Sequence, residues 1–336
     1  MLTGIQYFCI AYRLLKSKPL VDYVHFHYSW KMNSLLTLKS SSVTALIDPT
    51  NGGTISHIGR SIDPATNVLA WYEWDTPEPM SIEYLENESE THWLSRYRGG
   101  WQFLTPNAGN ECVYKGQRHS CHGESSILPW SVLSQSDNLV ILEVRIFNSL
   151  HVRRKLEIDS TQAIFRAHTQ ITNTTQVEQE IVIVEHIAFQ GSTDARIDAP
   201  EKSTWAFPKG FEEDGGEPML WSESGKGRPD LRAPIESAYE RLAFLHSGNE
   251  GWVKIVDKER GTGALLTWDK KIFPFLWYWQ ERFSPRFPFY NRAEMTGLEP
   301  ASCYPDDALV GASQSGRSTF ISAGQNIAFT TEVELI

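Results

Sequence analysis

The sequence predicts an all-β protein built as one large antiparallel β-sandwich. Two observations carry that expectation. Short runs rich in β-branched and aromatic residues recur between turn residues along most of the chain, and one stretch alone has helical spacing. The apolar share is ample for a large core: 41% of the 336 residues are hydrophobic and 12% aromatic, well above what a disordered chain carries.

In chain order, residues 1–31 mix aromatics, His and Lys (Tyr23, His25, Phe26, His27, Tyr28) without a sustained period, and are expected to form an N-terminal extension. Residues 32–336 are expected to form a single domain, since β-sandwiches reach this size undivided. The segment 35–47 is strand-like, and Asp48-Pro49-Thr50-Asn51-Gly52-Gly53 has turn chemistry. Further strands are expected at 139–147, 152–158, 163–172, 180–189, 252–256, 263–268 and 326–335. The stretch 198–234, rich in Gly, Pro and charge, reads as one long ordered loop. Residues 235–246 read as a helix, because Ile235, Ala238, Leu242 and Leu245 share a helical face.

The charge balance narrows the partners. With 31 basic and 41 acidic residues the formal charge is −10, which argues against nucleic acid and against anionic membrane surfaces. No run approaches the roughly 18 apolar residues of a membrane helix. Residues 1–12 lack the basic start and cleavage site of a secretory signal, so a cytoplasmic location is expected. Four scattered cysteines suit reduced thiols rather than a disulfide scaffold.

Three segments concentrate groups that do chemistry. Arg98-Gly99-Gly100-Trp101-Gln102 leads through Asn107 to His119-Ser120-Cys121-His122-Gly123-Glu124. An aromatic ring stacks on the C–H face of a sugar while Arg, Asn and Gln satisfy hydroxyls, so Trp101, Gln102 and Asn107 suit a polyhydroxylated ring. His119, Cys121, His122 and Cys112 lack the second ligand pair of a zinc site, and no metal is expected. In the second segment, 180–190, a strand with two apolar faces carries Glu185 and His186, which need buried partners. The third is the aromatic run 273–281, with Trp277 and Trp279 on one face, followed by Leu298-Glu299-Pro300. An apolar setting there raises the pKa of Glu299, as a general base requires.

Taken in order, these segments resemble the galactose mutarotase-like superfamily, the aldose 1-epimerases and their relatives. Arg98-Gly99-Gly100 resembles the arginine-glycine motif of the hexose-phosphate mutarotase branch, and His122-Gly123 the His-Gly element. Glu185-His186-Ile187-Ala188-Phe189 resembles the later His-aromatic strand, Leu298-Glu299-Pro300 the Glu-Pro near the C-terminus, and Asn51-Gly52-Gly53-Thr54-Ile55 the first hairpin. The resemblance runs from about residue 35 to the end. It implies a β-supersandwich of large antiparallel sheets and an isomerase that interconverts the anomers of an aldose. It further implies Glu299 as the base at the anomeric hydroxyl, His186 as the acid at the ring oxygen, and Arg98 and His122 as sugar-holding groups. Trp101 and one of Trp277 or Trp279 are expected to stack on the ring. The implied partner is a small sugar, a hexose or a derivative, with no cofactor; the chain is expected to be a monomer or homodimer. The mid-chain aspartate usual in the aldose epimerases has no clear match, Asp194 and Asp198 being nearest. Two alternatives stay open: a non-catalytic carbohydrate-binding protein, and a sugar-active hydrolase or lyase pairing Glu299 with Glu124, Glu185 or Glu281.

Overall fold

Two antiparallel sheets enclose the core. The computed structural model describes residues 35–76, 89–208, 217–235, 239–246, 248 and 250–336. The expected extension, residues 1–31, lies outside the described residues. A ten-stranded sheet runs in the order Leu36–Lys39, Thr44–Asp48, Thr54–Gly59, Gly100–Leu104, Val184–Phe189, Glu294–Ala301, Phe275–Arg282, Glu240–His246, Thr204–Ala206, Met219–Leu220. An eight-stranded sheet runs Ala195–Asp198, Trp252–Asp257, Thr262–Trp268, Asn326–Leu335, Ile164–Asn173, Leu150–Ile158, Leu139–Ile146, Ser131–Gln135. Alternation sends one side of each strand inward. Trp101, Phe103, Ile187, Leu276 and Leu298 of the larger sheet therefore pack with Phe165, Leu266, Phe329 and Val333 of the smaller in one continuous core.

A charged group sits at the centre of that core. Arg154 Nη2 lies 2.8 Å from Glu185 Oε2, which also accepts the Trp101 indole N–H at 2.6 Å. Burial pushes the Glu185 pKa up, against the opposing pull of Arg154 and the Trp101 bond.

Three expectations about elements are corrected. Within the 235–246 stretch expected to be helical, Glu240–His246 is a strand paired with Thr204–Ala206 and Phe275–Arg282. Ala243 and Leu245 enter the inter-sheet core while Phe244 packs on the opposite face, and a strand buried on both sides loses the period of two. The stretch 198–234 is not one loop. It contributes Thr204–Ala206 and Met219–Leu220 to the sheet edge, because the buried, tilted pair Trp205 and Trp221 (centroids 5.1 Å apart) anchors it. The expected strand 180–189 is broken at Val182 and Ile183. Their N–H groups leave the ladder for Pro106 O and Ser302 Oγ, both at 2.9 Å, so Gln179–Ile181 pairs separately with Thr319–Ile321.

Candidate active site

The outer face of the ten-stranded sheet collects the candidate residues by register. His186 stands opposite Gln102 on the neighbouring strand. The register that sets Val184 against Ala301 and Ala188 against Gly297 puts Glu299 across from His186 on the other side. Trp277 faces Glu299 in turn, and Trp279 faces Gly297. One row thus reads Gln102, His186, Glu299, Trp277, and the next reads Gly100, Ala188, Gly297, Trp279. The second row is small where the first is functional. A Cβ on Gly297 would sit 2.4 Å from Glu299 Oε1, so the carboxylate occupies the space that glycine leaves open.

His186 Nε2 lies 3.4 Å from Glu299 Oε1, and both residues are buried. Among the described residues, His186 Nδ1, Glu299 Oε1 and Gln102 Oε1 are buried polar atoms without a hydrogen-bond partner. Polar atoms are rarely left so in a core, and these three belong to neighbouring residues of one cross-strand row. Burial raises the Glu299 pKa well above its ordinary value. Burial, with the neighbouring His122 as a smaller cause, holds His186 well below its own. Both groups are therefore biased to their neutral forms, with the proton on Glu299.

His122 reaches the same point from a left-handed turn, φ 56°, that its neighbour Gly123 continues. Gly123 has to be glycine: its φ is 72° and a Cβ would lie 2.4 Å from Asn107 O. Gly109 N–H donates to His122 Nδ1 at 3.1 Å, which leaves the ring proton on Nε2. Burial lowers the His122 pKa to about 4, so the ring is neutral at pH 7. Its ring centroid is 5.3 Å from that of His186.

Two aromatic residues that sequence reasoning passed over complete the enclosure. Helix Ser89–Arg96 carries Trp93, edge-on to His122 at 4.3 Å and to His186 at 5.4 Å. Tyr97, just beyond the helix, stacks on Trp93 at 4.6 Å and meets His186 edge-on at 5.5 Å. The helix is tied down by Arg96 to Asn51 Oδ1 at 2.6 Å and by Trp93 Nε1 to Ser126 Oγ at 3.2 Å. The signal was present in the sequence: Trp93 and Tyr97 stand four apart immediately before Arg98-Gly99-Gly100.

Of the expected site residues, the structure brings together Glu299, His186, His122, Gln102 and Trp279, the last with its ring 6.3 Å from Tyr97. It does not bring the other three to this point. Trp101 turns to the opposite face, into the inter-sheet core. Asn107 spends its amide on Asn110 O, Ser120 O and Leu309 N, each at 2.8 Å, fastening helix Ala308–Ser315 to the sheet. Arg98 donates to the Trp74 carbonyl and lies over the Trp71 ring. Asp198 lies on the outermost strand of the smaller sheet, 3.4 Å from Lys254. Among the alternative carboxylates, Glu185 is committed to Arg154 and Glu124 to Ser120 N and Oγ. Glu281 shares the face of Glu299 but stands directly opposite Glu240, and burial raises it to about 7. Among the described residues, no three His, Cys, Asp or Glu gather as a metal-holding group.

A family model described as a domain of unknown function (DUF4432) matches residues 64–335. The chain belongs to that family. No curated protein matches it. Among solved structures, a galactose mutarotase related enzyme of Lactobacillus acidophilus superposes with a TM-score of 0.65 over 90% of this chain and 97% of its own, at 13% identity. A candidate aldose 1-epimerase of Escherichia coli K12 gives 0.64 over 90% and 98%, at 17% identity. A galactose mutarotase-like protein of Lactobacillus casei gives 0.62 over 90% and 100%, at 16%. Likeness at such identities concerns the fold. This DUF4432 member has the galactose mutarotase-like all-β architecture that its motifs resembled.

Proposed function

We propose that the chain is a carbohydrate isomerase of the aldose 1-epimerase type, with His186 and Glu299 as its acid–base pair. The observation that supports this most is the pair itself: two buried groups of opposite chemistry, 3.4 Å apart on adjacent strands, among orphaned polar atoms and aromatic walls. Anomerisation requires a proton to leave the C1 hydroxyl while another reaches the ring oxygen, and both oxygens are bonded to one carbon. Two groups this close can serve both.

The bias toward neutral forms favours a starting assignment opposite to the one the resemblance implies. Protonated Glu299 delivers its proton to the ring oxygen as neutral His186 Nε2 takes the one on the anomeric hydroxyl. The C1–ring oxygen bond breaks and the open aldehyde rotates. Reclosure returns the proton from the former ring hydroxyl to Glu299 and the His186 proton to the new anomeric oxygen, with no net change. In this reading His122 Nε2–H and Gln102 hold hydroxyls, and Trp279 covers the apolar face of the ring.

Polarimetry on freshly dissolved α-anomers, alongside a reducing-sugar assay on oligosaccharides, tests the proposal. Accelerated mutarotation without new reducing ends is expected. Release of reducing ends would mark a hydrolase instead, and binding without either signal a carbohydrate-binding protein.

A further inference from the structure

Beside the acid–base pair lies a cavity of about 270 Å³ that the proposed chemistry leaves unused. Its volume is just below the roughly 300–1,000 Å³ of drug-sized ligand sites and is on the scale of a single sugar. Ala70 is shared between the cavity and the cluster around Tyr97, and its N–H bonds to Ala188 O, two residues beyond His186 on the same strand. The cavity is therefore a neighbour of the site rather than a remote dimple.

Its lining is cationic in a protein with a formal charge of −10. Arg260 and Arg292 both contribute, and among the described residues neither has a carboxylate ion pair. Arg292 donates only to the carbonyls of Phe289 and Pro288, while its guanidinium lies 5.0 Å over the Trp74 ring. The one lining carboxylate, Glu294, is ion-paired with Arg282 from outside the lining and feels the Arg260 charge more weakly. Gln190 adds a buried Oε1 acceptor without a partner among the described residues, which calls for a hydroxyl or amine donor. Trp71 and Tyr72 supply an aromatic wall.

Two guanidinium groups, an orphaned acceptor and an aromatic face describe one ligand chemistry. We propose that this cavity receives the anionic end of a sugar that carries a carboxylate or a phosphate, so that the substrate class is an acidic rather than a neutral aldose. Guanidinium groups bind either anion through charge-assisted hydrogen bonds, Gln190 accepts from a neighbouring hydroxyl, and the rings cover carbon. This specificity rests on the epimerase reading, but the binding itself does not.

Calorimetric titration with glucuronate, glucose 6-phosphate, glucose and inorganic phosphate separates the two. At least one acidic sugar should bind at least about ten-fold more tightly than glucose, and more weakly as salt rises. Which of the two binds assigns the carboxylate or the phosphate. The double variant Arg260→Gln, Arg292→Gln should lose about ten-fold or more in that affinity at an unchanged melting temperature, since both side chains are exposed. Gln190→Leu should weaken the acidic sugar but not inorganic phosphate. Equal affinity for glucose and both acidic sugars, indifference to the double variant, or phosphate binding as tightly as the best acidic sugar would each overturn the proposal. Tight, arginine-dependent binding without anomer exchange would leave the cavity standing and remove the epimerase reading.

Discussion

Glu299 and His186 are each buried at a cost to stability that depends on pH. A carboxylate whose folded pKa lies above its unfolded value near 4.5 contributes full stability below that pH and loses it as pH rises toward the folded pKa. Glu299→Gln should therefore raise the melting temperature at pH 7, and the gain should vanish below about pH 4.5. His186 runs the other way, costing stability as pH falls below its ordinary 6.5. Gly297→Ala is the sharper geometric test. Its new Cβ would meet the mobile end of Glu299 rather than backbone, so the fold should survive while the carboxylate is displaced. Far-ultraviolet dichroism unchanged from wild type, with turnover down at least about ten-fold, is the expected result. His186 and Glu299 were singled out in the sequence by the family resemblance, since neither a lone His in an apolar strand nor a Glu-Pro pair means much by itself; that they stand side by side follows from the strand register. The facing of Trp101 was missed, although alternation held the answer: neighbours on a strand face opposite ways, so Trp101 and Gln102 cannot both face His186. Gln102 is the one that does.

At the scale of elements, helix Ser89–Arg96 matters most, because it brings Trp93 and Tyr97 onto the histidines. Trp93→Ala removes a buried ring that walls both His122 and His186. The expected loss is about 3–5 kcal/mol in denaturant unfolding, accompanied by a higher KM as the histidines lose their support. Wild-type KM in a folded Trp93→Ala protein would mean that the helix merely covers the sheet. Non-edge strands of the eight-stranded sheet were legible from composition, as 139–147 and 326–335 illustrate. The Glu240–His246 strand was misread because burial on both faces erases the alternation that separates strand from helix. The 198–234 stretch was misread because its glycines and prolines outnumber the two tryptophans that hold it to the sheet edge.

On the scale of the whole molecule, the two sheets meet around Arg154 and Glu185, both effectively excluded from water. Arg154→Ala would strand the Glu185 carboxylate beneath Trp101 and should cost about 3–5 kcal/mol in chemical denaturation. The double replacement Arg154→Met, Glu185→Leu should recover most of that loss, since a packed apolar pair needs no desolvation. Failure of the double variant to recover would indicate that the ion pair itself specifies how the sheets pack. The architecture was legible at this scale because order, spacing and β-rich context of several short motifs agreed, and the solved folds share that architecture. The cavity was not legible, because Trp71, Gln190, Arg260 and Arg292 come from distant parts of the chain and meet only in the folded protein.

Exchange of anomers by His186 and Glu299 without a cofactor is read out by magnetisation-transfer NMR. The α-to-β exchange rate of glucose, galactose, glucuronate and glucose 6-phosphate is measured with equal amounts of wild type, Glu299→Gln and His186→Asn. Wild type should accelerate exchange of at least one of these sugars, and each variant should lose about 10²-fold or more of that acceleration while remaining folded. Wild-type exchange rates in Glu299→Gln, or sugars that bind the wild type without faster exchange, would rule out an acid–base role for the pair.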